Sequence, residues 1–140
     1  MKRSYFFAFL LVFCITIMHS CKKASDTGPA DNTLHLGACT PVATGAFPVI
    51  CFDSLISESR CPEGAVCVWQ GYAAVRLSMK DEAGITQSFT LSTLDDKRLH
   101  LPATDTTISG YHITLLDVLP YPSLVKPMDG PYRIALKITK

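Results

Sequence analysis

Polar and apolar residues alternate along several short stretches of the second half of the chain. Over residues 132–139, Tyr132, Ile134, Leu136 and Ile138 share one side, and Arg133, Lys137 and Thr139 the other. This two-residue period is that of a half-buried β-strand. Residues 74–80 repeat the scheme, with Val75, Leu77 and Met79 set against Arg76, Ser78 and Lys80. Asp81-Glu82-Ala83-Gly84 then turns into 85–91, where Ile85, Phe89 and Leu91 share a face, so the two runs predict a hairpin. Over 111–118, Tyr111, Ile113 and Leu115 line up, and Pro120 and Pro122 end the run because proline has no N–H for a central ladder. An earlier strand is expected over 47–55, with Pro48 marking an edge or bulge, and shorter ones near 98–101 and 106–109. No stretch after Cys21 sustains a helical period with caps. Six to eight short strands within 34–140 predict an all-β domain: a small antiparallel β-sandwich, immunoglobulin-like, with a small barrel as the rival.

The N-terminus follows another pattern. Lys2 and Arg3 precede fourteen uncharged residues, 5–18. As a helix this run spans about 21 Å, short of the roughly 30 Å hydrocarbon core, which suits the apolar region of a helical signal peptide over 1–20. The run ends in Met18-His19-Ser20-Cys21, with Lys22 and Lys23 directly after. A small residue before a cysteine at this place resembles the lipobox of bacterial lipoprotein signal peptides, although Met18 and His19 depart from its usual residues. The resemblance implies cleavage before Cys21 and a diacylglyceryl group on its sulfur. Such a membrane anchor is stable because each buried methylene contributes about 0.8 kcal/mol. Residues 21–33 then form a linker. From Lys22 to Thr33 it holds no large apolar side chain and includes Gly28, Pro29 and Asn32. It cannot offset its ordering entropy and is expected to be a flexible tether with a mean reach of roughly 20 Å.

Composition narrows the classes. The chain has 140 residues, 48% hydrophobic and 18% charged, the make-up of one globular domain rather than of a disordered polypeptide. Thirteen Lys and Arg against twelve Asp and Glu give +1. Removing Lys2 and Arg3 leaves eleven against twelve, or −1, and no basic block for a nucleic-acid partner.

Six cysteines in an exported chain point to an oxidising compartment. Cys14 falls in the signal segment, and Cys39, Cys51, Cys61 and Cys67 allow three connectivities. Cys61 with Cys67, and Cys39 with Cys51, are favoured because each closes a local loop of turn-forming residues. On the chain-entropy model such loops contribute about 2.4 and 2.9 kcal/mol.

Around the third and fourth of these cysteines lies the most distinctive stretch, Ser59-Arg60-Cys61-Pro62 and, four residues on, Cys67-Val68-Trp69-Gln70-Gly71. Pro62 and Gly64 permit the sharp turn of a short disulfide loop. Trp69, two residues past Cys67, is expected on the same strand face, covering the disulfide and packing into the core. Gly71 is expected to permit a bulge or a close backbone approach. Arg60 has Glu58, Glu63 or a loop carbonyl within reach of its fork. The functional counterpart is a preorganised recognition hairpin that inserts Arg60 or Trp69 into a partner. The pattern resembles a signature, S-R-C-P, four residues, C-x-W-x-G, of small bacterial lipoproteins of unassigned function. Glu58 supplies the acidic residue this family carries before the serine, while Gln70 departs from its pattern. The resemblance implies a lipid-anchored β-domain and brings no catalytic residues.

Nothing in the sequence calls for a cofactor or a metal. The cysteine spacing does not fit common zinc knuckles, and His35, His100 and His112 form no His-x-x-x-His pair. Asp95-Asp96 with Lys97-Arg98 has the look of a solvated loop and lacks calcium-loop ligands. No G-x-S-x-G, H-E-x-x-H or phosphate-binding glycine loop occurs. The expectation is therefore a non-catalytic binding or structural domain, lipid-anchored in the bacterial cell envelope at the outer membrane or periplasmic face, with an unidentified envelope protein as partner. One alternative is an inhibitor of an exported protease, presenting loops 59–66 and 121–131. The other is a small hydrolytic or metal-dependent enzyme, which requires His100 or His112 beside a carboxylate and a nucleophile in a concave site.

Overall fold

The computed structural model describes residues 32–140. The segments expected to be the signal peptide and most of the tether, with Cys21, lie outside the described residues. Eight strands form two four-stranded antiparallel sheets. One sheet has the order β1-β8-β7-β6, made of Asn32–His35 (β1), Arg133–Thr139 (β8), Tyr111–Leu119 (β7) and Asp105–Ile108 (β6). The other has the order β2-β3-β4-β5, made of Cys39–Pro41 (β2), Val49–Glu58 (β3), Ala73–Lys80 (β4) and Thr86–Ser92 (β5). Two separate sheets make this a sandwich and not a barrel.

The core lies between them, where Leu34, Ile113, Leu115, Val118, Ile134 and Leu136 meet Ile50, Phe52, Val75, Leu77, Met79 and Leu91. Except for Val118, those in β4, β7 and β8 are the inward residues that alternation identifies. The 74–80 and 85–91 runs do pair as a hairpin, with Val75 opposite Leu91 and Leu77 opposite Phe89. Ile85 does not join that face: it lies in the turn before β5 and is exposed.

Strict alternation fails at three bulges. Asp53 and Ile56 in β3, and Leu116 in β7, have no opposite partner. Unbroken alternation would aim Asp117 inward behind Leu115. The extra residue at Leu116 instead sends Val118 to the core and brings Asp117 out at the end of the sheet.

Two boundaries differ from expectation. The sandwich begins at Asn32 and not at residue 34, because Asn32 and Thr33 pair with Leu136 and Ala135 of β8. Residues 98–101 are not a strand. Lys97–Leu99 is a single 3-10 turn, capped by the Asp96 side chain on the Arg98 N–H and ended by His100 at φ 53°. The same contact, chiefly the Arg98 side-chain hydrogen bond, holds the Asp96 carboxyl below its ordinary range.

Both local disulfides are formed. Cys39 and Cys51 stand directly opposite on β2 and β3, Cα atoms 4.0 Å apart. Since Ile50 and Phe52 point inward, this bridge staples the short edge strand from the outer face. Cys61–Cys67 closes the loop after β3, Cα atoms 5.9 Å apart. Two disulfides belong to an oxidising, non-cytoplasmic compartment.

Candidate functional site

The connection from β3 to β4 (59–72) and that from β7 to β8 (120–132) emerge at the same end of the sandwich, here termed the loop pole. Ordered backbone bonds close the stem of the first loop: Ser59 N–H donates to Tyr72 O at 2.9 Å and Cys61 N–H to Gln70 O at 2.8 Å. Gly71 makes this possible. Its φ is +69°, and a Cβ there would overlap the Ser59 carbonyl, so the expected close backbone approach is present.

Arg60 is the centre of the pole. It is 7% exposed, and each of its five N–H groups has an acceptor. Nε donates to Glu58 Oε1 at 2.9 Å, and one terminal nitrogen donates to Glu58 Oε2 and, at 3.5 Å, to Pro120 O. The other terminal nitrogen donates to Val118 O at 2.7 Å and Asp117 Oδ1 at 3.4 Å. The Tyr121 ring stacks with its centroid 4.6 Å from the guanidinium carbon. Glu58 belongs to one sheet and Asp117 and Val118 to the other, so a single side chain clamps the two sheets where both loops begin. The Leu116 bulge is what delivers Asp117 to it.

Above the clamp the two loops join each other. Glu63 N–H donates to Pro122 O at 2.9 Å and Leu124 N–H to Glu63 O at 3.0 Å, forming a parallel bridge between Glu63 and Ser123. Lys126 Nζ lies 3.5 Å from Glu63 Oε1, pairing the charges at this seam. Gly64 sits against Val125, whose Cγ1 would be 3.0 Å from an added Cβ.

The tips beyond this seam are apolar and uncovered. Val66 and Val68 are fully exposed, at 104% and 111%, and Leu124, Val125 and Met128 are more than half exposed. Trp69 is 41% exposed.

The motif residues therefore divide. Arg60, proposed either as a structural fork or as an inserted hot spot, is a buried fork with no free donor. Trp69 does not pack into the core. It lies in a loop, not a strand, so the alternation that would place it beside Cys67 on a sheet face does not apply there. Sequence reasoning missed Asp117, Val118, Pro120 and Tyr121 as partners of Arg60. They stand 57 to 61 positions away in the chain, and no local signal joins them to it.

The histidines are dispersed. His35, His100 and His112 are all exposed, on β1, after the 3-10 turn and on β7. His112 Nε2 lies 3.6 Å from Asp105 Oδ2 and its Nδ1 3.3 Å from Thr107 Oγ1, on an open sheet face rather than in a concavity. No group of three or more His, Cys, Asp or Glu is placed to hold a metal among the described residues. An open cleft of about 410 Å³ lies at the opposite pole, lined by Phe47, Pro48, Asp81, Glu82, Ala83, Ser109 and Tyr111. A smaller one of about 180 Å³ lies beside Arg60, Gln70, Gly71, Thr93, Leu94 and Tyr121. None of the three histidines lines either cleft. No family model, curated protein or solved structure matches this chain.

Proposed function

We propose that this is a lipid-anchored protein of the bacterial cell envelope whose β-sandwich is a non-catalytic binding or structural domain and works through its loop pole. One observation carries the reading: a saturated buried clamp, a disulfide and an inter-loop bridge fix a set of exposed aliphatic side chains. Rigid preorganisation lowers the entropic cost of contact, and uncovered apolar tips gain most from being covered. The separated, exposed histidines and the full occupation of Arg60 by internal acceptors support a role without catalysis. The two disulfides and the lipobox-like Met18-His19-Ser20-Cys21 support export and anchoring.

The anchor is tested with Cys21→Ala. The variant leaves the membrane fraction and no longer incorporates labelled palmitate; unchanged partitioning refutes the lipid anchor.

A second reading, inhibition of an exported protease, is favoured by the adjacency of loops 59–66 and 121–131, the two it requires. It predicts stoichiometric inhibition of a secreted serine protease by the isolated chain, lost on Val66→Asp.

A further inference from the structure

We propose that the loop pole docks onto a lipid bilayer, its aliphatic tips entering the acyl region and Trp69 and Tyr121 lying at headgroup level. The proposal deepens the envelope reading above and rests on it for the presence of a membrane nearby.

Four observations carry it. The most exposed side chains of this pole, Val66 and Val68, line neither of the two clefts and flank Cys67 in the disulfide loop. A fluid apolar phase accommodates such side chains without a complementary cleft. The aromatic residues stand nearer the domain: Tyr121 lies against Arg60 in the clamp, and Trp69 adjoins Gln70, whose carbonyl closes the loop stem. Aliphatic tips with Trp and Tyr behind them follow the polarity gradient of a bilayer surface. The seam carries no uncompensated charge between the loops, since Glu63 and Lys126 pair with each other. Charged groups are the main cost of insertion; the Glu63–Lys126 pair lessens it, and exposed Asp129, which forms none of the ion pairs among the described residues, stays on the aqueous side of the tips.

The fourth observation is reach. β1 runs towards the loop pole, and Asn32 pairs with Leu136, three residues from the start of β8. Asn32 thus lies about 10 Å of strand from the pole. Eleven peptide units separate Cys21 from Asn32 and span up to about 36–40 Å. This suffices for the chain to turn back beside the domain, so the acylated sulfur and the tips reach one leaflet together. The two attachments are then additive, each raising the local concentration of the other.

Trp69 is the only tryptophan in the chain, which makes it a reporter for its own pole. The test adds the purified full chain, as wild type and as Cys21→Ala, to phosphatidylcholine–phosphatidylethanolamine vesicles with or without brominated acyl chains. Brominated lipid is expected to quench Trp69, and the emission to shift to the blue. Val66→Asp with Val68→Asp is expected to lower partitioning of the Cys21→Ala chain at least about a hundredfold, two buried valines being removed. Both positions are fully solvent-exposed, so an unchanged denaturant midpoint checks that the fold survives. Trp69 of vesicle-bound wild type that is quenched by acrylamide but not by brominated lipid overturns the proposal. So does a photocrosslinker at Val68 that attaches in cells to a protein and not to lipid. If the Cys21→Ala chain still shows lipid quenching but wild type carries no palmitate, the lipid anchor is wrong and the docking surface stands.

Discussion

The two ends of the sandwich solve the same problem, returning a chain between antiparallel strands, by opposite means. At the far pole β6 and β7 are joined through Ser109 and Gly110 at φ 52° and 79°, a two-residue turn whose backbone twist matches that of the strands. β4 and β5 are joined by Asp81 to Ile85, where the Asp81 carboxylate accepts from the Ile85 N–H at 2.9 Å. Neighbouring residues supply everything these turns need. The connections at the loop pole are long and, besides the local Cys61–Cys67 bridge, are held by partners far apart in sequence: Arg60 with Val118 and Pro120, Glu63 with Pro122 and Lys126. The difference locates the distinctive motif. Short turns need only local chemistry, whereas two long loops stay rigid only if specific residues hold their base, and Arg60 and Gly71 do so.

Removing the clamp should produce the largest effect. Arg60→Ala leaves the Glu58 carboxylate, 16% exposed, without its cation, and the folded state should lose about 3–5 kcal/mol in denaturant titration. Arg60→Lys should recover only part, because an ammonium has three donors and no planar fork for two sheets. A loss below about 1 kcal/mol for the alanine variant would place the brace elsewhere.

Glycine substitutions sharpen the contrast between the poles. Gly71 and Gly84 both have positive φ, +69° and +82°, but a Cβ at Gly84 meets nothing within 4 Å. Gly84→Ala should therefore cost only the left-handed backbone, about 1–2 kcal/mol. Gly71→Ala adds displacement of the Ser59–Arg60 backbone and should cost about 2–5 kcal/mol. Equal shifts in midpoint would mean that the close approach at the loop stem carries no energy.

Trp69→Ala should have the smallest effect on stability, about 1 kcal/mol or less, because the ring is not in the core. A core tryptophan would cost about 3–5 kcal/mol. Added to Cys21→Ala, the same substitution should lower vesicle co-sedimentation several-fold while leaving the denaturant midpoint nearly unchanged, which separates the tip of the pole from its base.

The parts of the fold legible from the residues were those with a local cause. β4, β7 and β8 show their inward faces through alternation, and the Glu58–Arg60 fork lies two residues apart. β1 and β2 have four and three residues, too short to display a period, and they become strands only because β8 and β3 offer edges. Trp69 was misplaced in the core by extending strand periodicity into a loop. The bulge at Leu116 has no marker of its own, since apolar residues on both sides of Asp117, Leu115 and Leu116 before it and Val118 and Leu119 after it, fit either register.

Covalent order and side-chain chemistry alone therefore determined that this chain would make short strands, turn at particular glycines and prolines, and carry thiols close enough to bridge locally. These depend on neighbours within a few residues, where the chain itself sets the distance. Only the tertiary structure decided that Arg60 would be buried and Trp69 exposed. Burial depends on what the opposite sheet brings to the same place, and Asp117, Val118 and Pro120 arrive there through a bulge and a sheet pairing rather than through the chain next to Arg60.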